Sequence, residues 1–240
     1  MTDLGAFRDA QAEAWVRWAR EPGHDTYWRF HRDRFLELLP PPGRLTVDVG
    51  CGEGRLARDL RALGHRVVAL DSSPTMIRYA READLDGEYV VADATALPLG
   101  DGAADLVVAF MSLMNVEGME AAIAEAARVL APAGRLCAAI THPLNTAGRF
   151  ASDDPDSPFV IAGSYFERTR REDTVERNGL WMTFVDAHRP LEDYSHALET
   201  AGLVVERLRE IGDESEPPPW PTVLRWRRIP LFLHLRAVKP

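Results

Sequence analysis

The chain reads Val47-Asp48-Val49-Gly50-Cys51-Gly52-Glu53-Gly54 at the point that decides its fold. A short valine-rich run of this kind predicts a buried strand, and the glycines that follow predict a turn with positive backbone angles. Because glycine has no Cβ atom, the backbone of this turn can lie directly against a ligand. A helix that begins near Gly54 would present its free N–H groups at the same place. The stretch therefore predicts a strand, a ligand-binding turn and a helix.

Two acidic residues stand at the ends of the next two apolar runs. Asp71 ends the run at residues 67–71, and Asp93 follows the run at residues 90–92. An acidic residue after the second strand of such a unit accepts hydrogen bonds from a ribose diol. Asp93, with Ala94 beside it, is suitably placed to accept the amino group of an adenine. The pattern predicts a cofactor that contains adenosine.

Two cofactors contain adenosine and bind at such a turn. A nicotinamide dinucleotide favours the spacing G-x-G-x-x-G, in which the third glycine lets helix and strand pack closely around a pyrophosphate. Here that third position is Arg55, and the glycines are spaced G-x-G-x-G. S-adenosylmethionine has no pyrophosphate, so the spacing favours this sulfonium cofactor. Ser73 and Pro74 then predict a helix start, with Met76 where its thioether would pack on the adenine.

Residues 45–141 resemble the core of a class I S-adenosylmethionine-dependent methyltransferase, with the motifs of that family in order. Residues 45–54 are similar to the glycine loop of the family, and residues 104–110 to its fourth strand. Residues 128–136 resemble the helix-to-strand phrase RVLxPGG, in which Ala133 replaces the first glycine. The resemblance implies a small-molecule methyltransferase similar to those of type 11, with S-adenosyl-L-homocysteine as the product of the cofactor.

The motifs and the resemblance together predict two groups of site residues. The residues expected to contact the cofactor are Tyr27, Asp48, Gly50, Cys51, Gly52, Gly54, Asp71, Ser72, Met76, Asp93, Ala94 and Phe110. The resemblance also implies that the segment after the fifth strand covers the acceptor site. The aromatic residues expected to line that site are Trp28, Tyr165, Trp181 and Trp220.

Methyl transfer needs a general base only if the attacking atom carries a proton that must leave. His142, just past the end of the fifth predicted strand, is the first candidate for that base, and His188 is the second. Each of them can equally be a structural histidine held by hydrogen bonds. Cys51 and Cys137 are expected to be reduced and buried, and the sequence has no Cys/His cluster with metal-ligand spacing, so no metal is expected.

The whole chain predicts one α/β domain of the Rossmann-like, doubly wound class, with seven mostly parallel strands. The resemblance implies that the last strand is antiparallel. The expected parts are a helical cap at 1–43, a cofactor-binding core at 44–141, a substrate-capping insertion at 142–189, and a C-terminal helix with strands at 190–240. Within the insertion, residues 164–167 and 179–185 are predicted to form a hairpin joined by a charged turn.

The charge balance bears on the substrate. The chain has 28 Lys and Arg against 37 Asp and Glu, a net charge of −9, which argues against nucleic acid as the substrate. No apolar run is long enough to span a bilayer and the N-terminus lacks a signal-peptide pattern, so a cytoplasmic enzyme without a membrane partner is expected. The sequence predicts methyl transfer to oxygen, nitrogen or carbon of a small-molecule acceptor. The alternatives are an NAD(P)-dependent oxidoreductase and an S-adenosylmethionine-binding protein that does not methylate.

Overall fold

A computed structural model describes residues 4–214 and 221–240. In chain order, its strands are β1 (Thr46–Val49), β2 (Val67–Asp71), β3 (Glu88–Val91), β4 (Ala104–Phe110), β5 (Leu130–Thr141), β6 (Arg149–Phe150), β7 (Phe159–Val160), β8 (Thr169–Arg177), β9 (Leu180–His188), β10 (Val204–Ile211) and β11 (Phe232–Val238). The α-helices are α1 (Leu4–Arg20), α2 (Arg32–Leu36), α3 (Arg55–Ala62), α4 (Pro74–Ala83), α5 (Met119–Val129), α6 (Pro143–Ala147) and α7 (Leu191–Thr200). Shorter helical turns are a π-helical turn at Tyr27–His31 and 3-10 turns at Leu113–Asn115 and Pro221–Arg227.

Seven strands form the central sheet, in the order β10-β11-β5-β4-β1-β2-β3. β1 pairs in parallel with both β2 and β4, while β11 lies between β5 and β10 and is antiparallel to each. β2 and β3 extend the sheet from β1 toward one edge, and β4, β5, β11 and β10 extend it toward the other. The predicted Rossmann-like sheet with an antiparallel last strand is confirmed. The strand order reverses between β1 and β4, where ligands bind in folds of this class.

Both faces of the sheet are covered, as the apolar parallel strands require. Val107 and Ala109 of β4 belong to one buried cluster with α5 and α7. Leu106 and Val108, which alternate with them, belong to another cluster with α3 and α4. Successive residues of β4 therefore contribute to opposite cores. Cys51 and Cys137 are both buried free thiols.

The N-terminal segment covers part of the sheet. Within the helical cap predicted at 1–43, α1 is a separate helix, and the π-helical turn leads directly into α2. Tyr27 Oη donates to Asp59 Oδ2 at 2.7 Å, and His31 Nδ1 lies 2.9 Å from His234 Nε2. Side chains at both ends of the π-helical turn are thus hydrogen-bonded to α3 and β11.

The hairpin of the insertion differs from the prediction. Its strands are β8 and β9, and the two residues between them are Asn178 and Gly179, with φ of 50° and 80°. Positive φ at both central residues is typical of the tight Asn-Gly hairpin turn. The charged run predicted as a turn is therefore β8 itself, and residues 164–167 precede the hairpin. The prediction overlooked the Asn-Gly pair, which sets the register.

One departure from the family phrase has a backbone consequence. Ala133 has φ of 63°, a conformation that residues with a Cβ atom adopt at a cost. β5 begins at Leu130, so this left-handed residue lies inside the strand. Among the described residues, no helix combines the length and the apolarity needed to cross a membrane.

Candidate cofactor and acceptor site

A cavity of about 1170 Å³ opens at the edge of the sheet where the parallel strands end. One wall comes from the turns that follow β1, β2, β3 and β4. The other comes from α1 and from residues 182–185 of β9. Pockets for one small ligand usually have roughly 300–1,000 Å³. The cavity is therefore large enough for two small molecules side by side.

The glycine loop after β1 supplies the centre of the first wall. Gly50, Gly52 and Gly54 all have positive φ, of 75°, 56° and 82°. A Cβ atom on Gly50 would clash with Ser112, and one on Gly54 would lie 2.8 Å from the Tyr89 ring. At Gly52 the nearest atom to such a Cβ would be Trp15 Nε1, at 3.9 Å. Packing thus requires glycine at two positions, whereas at Gly52 a side chain would enter the cavity.

Asp71 connects the glycine loop to the next turn. Its Oδ2 accepts a hydrogen bond from the Gly52 N–H at 2.9 Å, and its Oδ1 accepts one from the Ser73 N–H at 2.9 Å. The carboxylate therefore orders both backbone turns at the place where β1 and β2 end. Each carboxylate oxygen can accept more than one hydrogen bond, so capacity remains for a ribose diol.

Asp48 lies in the cavity wall and is buried, with 1% of its surface exposed. Neither of its carboxylate oxygens has a hydrogen-bond partner among the described residues. Desolvation, together with the nearby charge of Asp71, raises the pKa of Asp48 to about 8. A buried carboxyl group without partners is unfavourable unless a ligand supplies a donor or a positive charge. S-adenosylmethionine carries an ammonium and a sulfonium group, and this site therefore fits it.

The start of α4 borders the cavity and is joined to α1. Ser73 caps the helix by accepting a hydrogen bond from the Met76 N–H at 3.1 Å, as its sequence position predicts. Asp9 of α1 accepts hydrogen bonds from the Thr75 N–H at 3.2 Å and from the Ser73 hydroxyl, and the latter lowers the pKa of Asp9. Sequence patterns gave no signal for Asp9, because its partners are far along the chain.

Arg55, the residue that breaks the dinucleotide spacing, is largely buried. It forms an ion pair with Asp25, whose side chain is also buried. The Arg55 guanidinium lies 4.7 Å from the centre of the Tyr27 ring, and desolvation lowers its pKa to about 10. The arginine therefore joins the start of α3 to the segment that follows α1.

Most of the residues predicted for the cofactor site surround this cavity. The wall contains Asp48, Gly50, Cys51, Gly52, Asp71, Ser72, Met76, Asp93, Ala94 and Phe110. Tyr27 and Gly54 are not part of it. Tyr27 is buried behind the wall, where its ring meets Phe110 edge-on with 5.4 Å between the ring centres. It supports the wall and does not line it, because its hydroxyl is bonded to Asp59.

The aromatic residues predicted for the acceptor site lie elsewhere. Trp28 and Trp181 are each 67% exposed and do not line the cavity. Tyr165 is also outside the wall, and its hydroxyl accepts a hydrogen bond from the Leu191 N–H at 3.0 Å. Trp220 lies outside the described residues. Large apolar side chains that do line the cavity include Trp15, Phe110, Met111, Met114, Met182, Phe184, Val185 and Phe232.

Trp181 and its neighbour Met182 on β9 differ in exposure, and only Met182 lines the cavity. Met182 is 7% exposed, whereas Trp181, its neighbour on β9, is mostly in solvent. Neighbouring residues of a strand face opposite ways. The alternation along β9 therefore indicates that Trp181 and Met182 lie on opposite faces, and the prediction selected Trp181 because its ring is larger.

Neither predicted base lines the cavity. The His142 Nδ1 accepts a hydrogen bond from the Leu144 N–H at 3.0 Å at the start of α6, and burial lowers the pKa of His142. The His188 Nε2 donates to the Tyr165 carbonyl at 2.8 Å, and its Nδ1 lies 2.7 Å from Thr146 Oγ1. Both rings hold the insertion in place, which corrects the prediction of a histidine base at the site.

Comparison with known proteins agrees with this geometry. Residues 47–138 match a family model described as a methyltransferase domain. A malonyl-[acyl-carrier protein] O-methyltransferase of Methylococcus capsulatus is 36% identical over 150 residues, which cover 56% of this chain and 54% of that protein. A demethylmenaquinone methyltransferase of Thermus thermophilus is 41% identical over 120 residues, which cover 48% and 54%. The chain spans about half the length of the relatives it matches.

Solved structures extend the likeness to almost the whole chain. An S-adenosylmethionine-dependent methyltransferase from Mesorhizobium loti has a TM-score of 0.73 and 24% identity, covering 89% of this chain and 98% of that one. The [4+2]-cyclase SpnF has a TM-score of 0.65 and 18% identity, covering 99% and 95%. The resemblance seen in the sequence is confirmed: residues 47–138 match a methyltransferase domain, and the fold is that of solved S-adenosylmethionine-dependent methyltransferases.

Proposed function

We propose that this protein transfers a methyl group from S-adenosylmethionine to a small-molecule acceptor. The observation that carries the proposal is the cavity, in which the glycine loop, Asp48 and Asp71 adjoin a second, apolar compartment. Asp71 would hold the ribose, Asp93 the adenine, and Asp48 the cationic end of the cofactor. When bound, the cofactor supplies a methyl group on a positively charged sulfur, which is reactive toward a nucleophile.

The residues of the chain act mainly by positioning. In-line displacement is accelerated when nucleophile and methyl group are held close and aligned. The glycine loop and Asp71 fix one partner, while α1 and β9 cover the cavity and reduce contact with water. The described part of the wall contains no histidine. Catalysis would therefore depend on orientation of the two reactants and on exclusion of water.

The relatives differ in the acceptors that their names state. One group acts on an oxygen of a malonyl group carried by a protein, and the other on demethylmenaquinone. Transfer to oxygen, nitrogen or carbon of a small molecule is compatible with the cavity. The acidic residues of the wall and the net charge of −9 both disfavour a nucleic acid acceptor.

A second candidate has a specific observation in its favour. The structural neighbour SpnF is described as a [4+2]-cyclase, so a chain of this fold can host another reaction. In that case the cofactor would bind without transferring its methyl group. The nicotinamide alternative is weaker, because the buried Arg55–Asp25 pair occupies the position where the dinucleotide fingerprint has its third glycine.

The first experiment is calorimetry of the full chain with S-adenosylmethionine, S-adenosylhomocysteine and NADPH in parallel. We expect the two sulfur cofactors to bind and NADPH not to bind. Radioactive S-adenosylmethionine, labelled in its methyl group, is then incubated with phenols, quinols and amines. Label in an acceptor supports the proposal. Cofactor binding without transfer to any class of acceptor would favour the non-methylating alternative, and binding of NADPH alone would contradict both.

A further inference from the structure

The two halves of the cavity differ in chemistry, and the strand order sets the difference. The ends of β1, β2 and β3 bring Asp48, Asp71 and Asp93 to one part, which we call the acidic half. The end of β4 brings Met111 to the other part. The end of β5 and the start of β11 bring Thr141 and Phe232 there, and these two residues are paired in the sheet. We call this part the apolar half.

β9 covers the apolar half. It packs against the 3-10 turn at Leu113–Asn115 that follows β4, and against α6, which follows β5. Met182 and Val185 of β9 are both in the cavity wall and less than a tenth exposed. A molecule in this half would therefore contact apolar side chains of the sheet edge on one side and of the hairpin on the other.

The described side chains of the wall provide no free positive charge. Arg55 is the one basic residue among them, and Asp25 already neutralises it. A carboxylate or phosphate on the acceptor would lose its water without gaining a cationic partner from the described side chains of the wall, and it would lie in a cavity that contains several carboxylates. An uncharged acceptor avoids both penalties.

Met111, which lines the apolar half, has an unusual backbone conformation. It has φ of 52°, which is rare for a residue with a side chain and is held here by its surroundings. Its N–H donates to the Ala139 carbonyl at 2.8 Å, and its carbonyl accepts from Asn115 Nδ2 at 3.1 Å. The side chain packs against all three buried clusters of the protein. A flexible thioether at this point can adapt to an apolar ligand.

We propose that the methyl acceptor is an uncharged molecule with an apolar, ring-sized body, bound in the apolar half between Met111 and Phe232 on one side and β9 on the other. An acceptor whose body carries a carboxylate should bind more weakly, because the described side chains of the wall offer it no free cation. This inference rests on the proposed function and narrows it. Of the acceptors named for the relatives, it favours one like the ring of a quinone over one like a malonyl group.

The test compares two probes that share a ring and a hydroxyl group and differ by one carboxylate, 2-naphthol and 6-hydroxy-2-naphthoate. Each is titrated by calorimetry into the full chain saturated with S-adenosylhomocysteine. We expect 2-naphthol to bind at least tenfold more tightly. Equal affinity, tighter binding of the carboxylate, or no binding of either probe would overturn the inference. Failure to saturate with S-adenosylhomocysteine would instead overturn the proposed function.

A charge introduced into the wall provides the reciprocal test. Thr183 lines the cavity, whereas Phe166 of the same insertion is 74% exposed and outside the wall. We expect Thr183→Arg to bind 6-hydroxy-2-naphthoate at least tenfold more tightly than the unchanged chain does. Phe166→Arg, which adds the same charge elsewhere, leaves both affinities unchanged. An increase of equal size in the two variants would mean that overall charge, and not the apolar half, selects the ligand.

Discussion

The two walls of the cavity are built in different ways. The sheet wall consists of tight turns at strand ends, ordered by backbone hydrogen bonds such as those from Gly52 and Ser73 to Asp71. The cap wall, formed by α1 and β9, is held by side chains from distant parts of the chain. Trp15 and Phe184, for example, meet edge-on with 6.0 Å between the ring centres. The sheet wall, which we propose binds the cofactor, therefore depends on local backbone geometry, whereas the cap wall depends on individual side-chain contacts.

The largest effect is expected from Gly52→Val in the sheet wall. Its side chain would project into the cavity without meeting the protein core, because the nearest atom to an added Cβ is 3.9 Å away. We expect affinity for S-adenosylhomocysteine to fall by more than about 100-fold, measured by calorimetry. The matched control is Gly202→Val, where φ is also positive, at 74°, and nothing lies within 4 Å. That variant has the same type of backbone strain and should bind normally.

Asp71→Ala tests the same wall through its hydrogen bonds. The carboxylate orders two turns and is proposed to bind the ribose, so its loss should weaken cofactor binding by about 1–3 kcal/mol, or roughly 5- to 150-fold. Calorimetry at constant salt measures the change. The control Asp101→Ala removes a carboxylate that is 82% exposed and away from the cavity. Equal affinities in the two variants would exclude Asp71 from the site.

The contact between the π-helical turn and β11 should make the stability of the protein depend on pH. His31 and His234 are buried against each other, and burial lowers the pKa of both, that of His234 to about 4. The unfolded chain, with histidine pKa values near 6.5, therefore binds more protons as the pH falls. The contribution of these two histidines to the free energy of unfolding is complete above pH 6.5 and decreases below it, and the part due to His234 becomes level below about pH 4. For His234 alone the loss at pH 5 is about 2 kcal/mol.

Urea unfolding at pH 7.5 and pH 5.0 measures this effect. In the double variant His31→Leu, His234→Leu, the decrease in the free energy of unfolding should be smaller than in the unchanged chain. Some dependence should remain, since burial also lowers the pKa of His65 and His142. An unchanged decrease in the double variant would assign the acid sensitivity to other groups.

The smallest effect is expected at the contact between the β8–β9 hairpin, whose strand β9 belongs to the cap wall, and the segment after α1. Arg177, at the end of β8, donates to the Gly23 carbonyl at 3.2 Å and to the His24 carbonyl at 2.7 Å, and so joins the hairpin to the segment after α1. Removing it in Arg177→Ala should weaken binding of 2-naphthol a few-fold and leave binding of S-adenosylhomocysteine unchanged. Arg170→Ala, at an exposed position of the same strand, is the control. A larger loss for the cofactor than for the probe would mean that the two walls are not independent.

Residues of the sheet wall were easier to predict from the sequence than residues of the cap wall. The glycine loop, Asp71 and the Ser73 cap were predictable because each depends on residues a few positions apart, whose backbone conformation follows from their type. The antiparallel β11 came from the resemblance, and the structure confirms it. The Asn178-Gly179 turn was also a local signal, and it was available but overlooked.

The errors lie where a residue's role depends on distant partners. His142 follows the fifth strand and His188 ends β9, yet the His142 Nε2 lies 3.1 Å from Glu210 Oε1. The His188 ring bonds to Tyr165 and Thr146. Tyr27 was predicted to touch the cofactor, but its bond to Asp59 holds it behind Phe110. Nothing in the spacing of these residues reveals such partners.

By itself, the sequence determined the class of fold and the sheet wall of the cavity, because glycine spacing, strand-end carboxylates and helix caps act over a few residues. Only the tertiary structure decided which side chains form the cap wall and the apolar half. Those surfaces combine α1, the end of β4, the start of β11 and the β8–β9 hairpin. These four parts are far from one another along the chain. Packing between remote segments placed Met182, and not Trp181, in the cavity wall. The strand order separated the acidic half from the apolar half.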